Sequence, residues 1–145
     1  MSNPNRDLFP TTTISVPNLV PLMERLRDES LRRTVTILHV HSAEEGEWIC
    51  STAAARLARN QARVTGPYSA KVIDLVESAI RSSNKFVFAG EIRRAEDARA
   101  LRAAATLGIH PVGFIVRERR AEVNNTLTML GSWSSFDLAL LGTYD

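Results

Sequence analysis

Apolar residues along this chain fall into two rhythms. Short dense runs, TVTILHV from Thr34, KFVFAG over Lys85–Gly90, PVGFIVR over Pro111–Arg117 and FDLALL over Phe136–Leu141, read as buried strands. Between them the spacing turns helical. From Pro17 to about Arg32, Leu19, Val20, Leu22, Met23, Leu26 and Leu31 fall on one helical face with charges opposite. A polar loop over Ser42–Glu47 leads into an Ala-rich helix from about Ser51 to Gln61. Arg63–Thr65 is at most a short strand, closed by Gly66-Pro67, and Ser69 caps a helix striped by Val72, Ile73, Val76 and Ile80. Ala95 to about Leu107 and Arg119–Leu130 read as helices stopped by Gly108 and Gly131. Apolar strands alternating with helices predict an α/β fold, three-layered, with a mainly parallel central sheet. The Pro- and Thr-containing stretch 1–16 has neither rhythm and reads as a flexible lead-in, leaving 17–145 as a single domain.

Composition narrows the picture only a little. A chain of 145 residues with 44% hydrophobic content has room for one real core. No apolar run reaches spanning length, and the polar start MSNPNRDLF has no signal-peptide core, so no direct membrane insertion is expected. A single Cys permits no internal disulfide and suits a reducing cytoplasm. A net charge of +2 gives no argument for nucleic acid. Lys occurs only at positions 71 and 85, so the positive charge is carried by Arg, whose fork suits carboxylates and phosphates.

Strand, polar loop, helix is the frame of a phosphate-binding loop, which needs G-x-x-x-x-G-K-[ST]: a Gly for close backbone approach, a Lys for charge and a hydroxyl for Mg²⁺. Here Gly46 is followed by Glu47, Trp48, Ile49 and Cys50 before Ser51 and Thr52, so the second Gly and the Lys are both absent. Trp48 and Ile49 would fill the phosphate space, and Glu44, Glu45 and Glu47 would repel a triphosphate. The expectation is a plugged site with no catalytic residue and no cofactor. His39 and His41 alternate on the first strand and so share a face, with no further metal ligand at a recognisable spacing. Cys50 reads as a small core residue. Arg93 and Arg94 follow one strand, and Arg117, Arg119 and Arg120 another. Two readings stand equal: the five gather as an anion site beside residues 42–50, or they are solvated or pair with Glu91, Glu96, Glu118 and Glu122.

The order of parts resembles the cytoplasmic ATPase domain of bacterial tyrosine kinases of capsule and exopolysaccharide export, P-loop proteins related to the MinD/ParA group. The family's Walker A segment reads like SAEPGEGKSTVAANLA, against SAEEGEWICSTAAARLA here. VFAGEIRRAEDARAL stands where the family's Walker B strand ends in Asp, with Gly90 at that position and Glu91 beside it. FIVRERRAEVNNTLTMLG, Phe114–Gly131, is similar to the family's LVVRxGxTRRAEVxxALxLL, and DLALLGTYD to its LLGVVLN strand. Glu24 and Arg27 fit two positions of its E-x-x-R-x-x-R oligomerisation motif, with Ser30 at the third. A lone Tyr144 stands where the family has a C-terminal tyrosine cluster. GEIRRAEDARALRAA also resembles the GEIRDxET segment of secretion and pilus-retraction ATPases, a shorter match that leaves PVGFIVRERRAEV unexplained.

The resemblance implies a non-catalytic binding or regulatory module in exopolysaccharide synthesis or export. It would act at the inner face of the cell membrane through a membrane polysaccharide co-polymerase, a chain-length regulator. Leu22, Met23, Glu24 and Arg27 would form the partner or homo-oligomer helix. The alternatives are an atypical NTPase or tyrosine kinase with Arg replacing the Lys, and a secretion-ATPase-like assembly factor.

Overall fold

Val35–Val40, the densest apolar run, is buried at every position and takes a near-central place in a five-stranded sheet. The computed structural model describes residues 16–60, 62–66, 70–137 and 143–144. In chain order the elements are β1 (Val16–Pro17), α1 (Val20–Glu29), β2 (Val35–Val40), α2 (Ala43–Arg59), β3 (Val64–Thr65), α3 (Val72–Arg81) and β4 (Phe86–Glu91). They continue with α4 (Ala95–Thr106), β5 (His110–Val116), a 3-10 turn (Arg117–Arg119), α5 (Arg120–Thr128), β6 (Trp133–Asp137) and β7 (Thr143–Tyr144). The sheet order is β3-β4-β5-β2-β6, every pairing parallel, and β1 pairs with β7 in a separate antiparallel ribbon. The fold is therefore the three-layer α/β arrangement that the two rhythms predict.

Each face of the sheet carries its own core. Leu38 and Val40 of β2 point with Phe86, Phe88, Phe114 and Phe136 toward α1 and α2. Val35 and Ile37 point with Val87, Ala89 and Ile115 toward α3, α4 and α5. Burial on both faces is why these strands read as continuous apolar runs rather than alternating ones.

Several element boundaries depart from the sequence expectation. α1 is shorter than Pro17–Arg32: Pro17 pairs in β1, Pro21 sits in the first turn, and Asn18 Oδ1 accepts from the Val20 amide at 3.1 Å. Leu31 lies beyond the helix and is 83% exposed, so it leaves the predicted stripe. In α3 the buried residues are Val72, Leu75, Val76 and Ala79, while Ile73 and Ile80 are half exposed. Two stripes share Val72 and Val76, and packing against α4 selects the one with the smaller Ala79. The N-cap of α3 is Lys71; Ser69 lies outside the described residues. So do residues 1–15, assigned to the lead-in, and 138–141, assigned to the end of the last strand. Gly108 ends α4 at φ +84°, the left-handed turn its position predicts. No helix among the described residues is long and apolar enough to cross a membrane.

Candidate functional site

Ligands of open parallel sheets sit outside the carboxyl ends of the strands, where the chain reverses direction across the sheet. Here α2 leaves β2 on one face and the later helices cover the other, so β2 marks that point. His41 and Ser42 follow β2, Arg117–Arg119 follow β5, Glu91 closes β4 with Arg93 and Arg94 after it, and Asp137 closes β6.

The connection after β2 is a turn with no loop. Ser42, extended at φ −145°, ψ 160°, is the N-cap of α2, and its Oγ accepts from the Glu45 amide at 3.2 Å. Glu45 reaches back, its Oε1 accepting from the His41 amide at 2.8 Å. This is a close relative of the capping box, and it takes up the positive end of the helix with the chain's own carboxylate. The segment Gly46, Glu47, Trp48, Ile49, Cys50, Ser51 and Thr52, expected as a degenerate phosphate loop, is thus helical throughout. The correction has a local cause. S-x-x-E at Ser42–Glu45 starts the helix early, and Gly46, Ile49, Cys50, Ala53, Ala54 and Leu57 give it a buried face.

Gly46 has a packing role rather than a phosphate role. A Cβ built there would lie 2.5 Å from the ring of Phe114, itself fully buried. Ile49 is 1% exposed and belongs to the core, whereas Trp48 is 44% exposed on the outer face, so the two do not jointly plug a phosphate space. Thr52 Oγ1 donates to the Trp48 carbonyl at 2.8 Å. Cys50 is buried, and burial followed by the charge of Glu47 pushes its thiol up to about 12, which makes it an inert core residue.

The five arginines divide among partners. Arg119 grips Glu91 with one guanidinium nitrogen 3.0 and 2.8 Å from the two carboxylate oxygens, and Arg93 approaches the same group at 3.8 Å. The hydrogen bond to Glu91, then its charge, raises the Arg119 pKa further. Glu91, expected in the Walker B region, is therefore clamped between two cations; Gly90 beside it sits at a break in register between β4 and β5. Arg94 pairs with Glu96 at 3.4 Å, and Arg117 pairs with Asp137. Arg120 lies 3.5 Å from Nδ1 of His39. Of the two readings, pairing describes four of the five. Asp137 is a partner that sequence reasoning missed, while Glu118 and Glu122 act on Arg119 only as nearby charges.

Of the two histidines only His39 lies within β2. β2 ends at Val40; His39 is 6% exposed with Nε2 unpartnered, and His41 is exposed. Burial, then Arg120, lowers the His39 pKa, so the ring is neutral near pH 7. Among the described residues no three His, Cys, Asp or Glu side chains are placed to hold a metal.

An open cleft of about 710 Å³ lies beside the end of β4, lined by Glu47, Glu91, Glu96 and Asp97 against Lys71 and Arg94. Four acids to two bases is the wrong balance for a triphosphate. On α1, Leu22 is 0% and Met23 5% exposed, both in the core of this subunit; only Glu24 and Arg27 of the expected partner helix face outward. No protein-family model matches the chain, and no curated protein sequence matches it.

Proposed function

We propose that this protein is a non-catalytic binding or regulatory module, a P-loop-like fold that works without nucleotide. One observation carries the reading. The turn from β2 to α2 is closed by Ser42 and Glu45, with Gly46 seated on Phe114. A triphosphate needs free amides and a lysine at this point. The Glu45 amide serves the cap and the Glu45 carboxylate lies back against the His41 amide, and no lysine stands in Gly46–Thr52. The clamped Glu91 supports the same reading, since a carboxylate held by Arg119 and Arg93 is a poor Mg²⁺ ligand. The setting, exopolysaccharide synthesis or export beside a membrane polysaccharide co-polymerase, rests on the resemblance of SAEEGEWICSTAAARLA and FIVRERRAEVNNTLTMLG to the capsule kinases.

Calorimetry of the full chain with Mg-ATP tests the core of this. No heat of binding is expected at micromolar concentrations. A micromolar dissociation constant would overturn the module reading, and measurable turnover would turn it into the atypical NTPase.

A further inference from the structure

The opposite edge of the sheet, where the strands begin, carries a second polar surface. Two grooves of about 460 and 480 Å³ lie there between α1, α2 and the loops before β3 and β4, and they meet at Arg27 and Asn60. Their walls carry Arg27, Arg56, Arg59, Arg63 and Lys85, with Glu24 as the one acid. Among the described residues none of these five cations forms an ion pair. The helix dipoles account for some of this charge, since Arg27 ends α1 and Arg56 and Arg59 end α2. They do not account for Arg63 and Lys85, which stand outside any helix and are tied together by the Lys85 amide donating to the Arg63 carbonyl at 2.9 Å.

We propose that this surface docks an acidic peptide segment of a partner protein. Clustered cations without counter-charges repel one another, and an incoming row of carboxylates relieves that repulsion while using the bidentate fork of Arg. Concave grooves fit an extended chain better than the flat face of a bilayer. Aromatic stacking, on which single-stranded nucleic acid relies, is absent from the lining, whose one aromatic residue, Phe86, is 2% exposed. Val20, 54% exposed at the mouth, offers an apolar anchor beside the charges. The occupant is thus an acidic segment that carries scattered apolar residues. The surface is separate from the β2–α2 turn, so it stands whether or not nucleotide binds there.

The test uses the full chain and a fluorescein-labelled peptide of Glu-Glu-Leu repeats, followed by anisotropy, with a Gln-Gln-Leu peptide as its uncharged match. Binding of the Glu peptide alone is expected. Arg56→Glu with Arg59→Glu should weaken it at least about tenfold. Arg99→Glu with Arg102→Glu, the same charge change on the exposed side of α4, should leave it unchanged. Should the first pair lower the melting temperature, Arg56→Gln with Arg59→Gln takes its place. Equal losses in both pairs, or binding of the Gln peptide, would overturn the proposal. So would tighter binding of phosphatidylserine vesicles or duplex DNA through the same arginines, or a dimer in sedimentation that Arg56→Glu with Arg59→Glu dissolves.

Discussion

The two edges of the sheet handle charge in opposite ways. At the carboxyl edge, Arg93, Arg94, Arg117 and Arg119 each meet a carboxylate of this chain, and the start of α2 is closed by Glu45. At the amino edge, Arg27, Arg56, Arg59, Arg63 and Lys85 meet none among the described residues. At the edge where α/β proteins keep their ligands four of the five arginines are paired within the chain, while at the opposite edge five cations pair with no carboxylate among the described residues. A parallel α/β sheet can thus carry its unpaired charge away from the carboxyl ends of its strands.

Each edge also buries one histidine, and the amino-edge ring gives the largest measurable effect. His110 shares a 2.7 Å hydrogen bond with Thr36 and packs edge-on to Phe86, with ring centroids 5.9 Å apart. Burial lowers its pKa from 6.5 to about 4, against a smaller upward pull from Glu29. The folded state then refuses a proton that the unfolded chain accepts. The stability this contributes is whole above pH 6.5 and is lost as pH falls toward about 4. The loss should approach about 3 kcal/mol. Urea unfolding across this window should show the slope, and His110→Gln should flatten most of it. His39 at the other edge is shifted in the same direction, by burial and then by Arg120, and adds to the slope with the same sign. An unchanged slope in His110→Gln would remove the amino-edge histidine from the comparison.

The closure of the carboxyl edge can be broken at Gly46. In an exposed helix, Gly→Ala would gain up to about 1 kcal/mol. Here the added methyl meets the fully buried Phe114 ring at 2.5 Å, and overpacking costs about 1–3 kcal/mol. Overpacking wins, so Gly46→Ala should destabilise the protein by about 1–2 kcal/mol in chemical denaturation. A stabilised variant would mean that α2 does not seat on Phe114 and that the turn is open after all.

These particulars show what the chain declares and what it withholds. The strands at Val35–Val40, Phe86–Glu91 and His110–Val116 were legible because burial on both faces leaves an unbroken apolar run. The start of α2 is legible too, in the S-x-x-E of Ser42–Glu45, but the same stretch around Gly46 also fits the strand–loop–helix frame of a phosphate loop, and only the cap distinguishes the two. The α3 stripe was ambiguous in principle: Ile73 and Ile80 are more hydrophobic than Ala79, and only the neighbouring helix decides which side is covered. Pairings such as Arg119 with Glu91, or Arg117 with Asp137, join residues 28 and 20 positions apart and depend on strand order, which spacing does not encode.

The smallest effect is the sharpest test of the contrast itself. Arg117 and Asp137 are partly exposed, 39% and 48%, so their pair is screened and should couple by no more than about 1 kcal/mol. A double-mutant cycle through Arg117→Ala and Asp137→Ala isolates that coupling, which should shrink as salt is raised. Arg63 lies in no helix and pairs with no carboxylate among the described residues, so Arg63→Ala should change stability by less than about 0.5 kcal/mol. Its sign should be neutral or favourable, because one member of a repelling cluster is gone, and added salt should erase even that gain. If Arg63→Ala instead costs as much as breaking the Arg117–Asp137 pair, the amino-edge cations are structural, and the distinction between an answered and an unanswered edge fails.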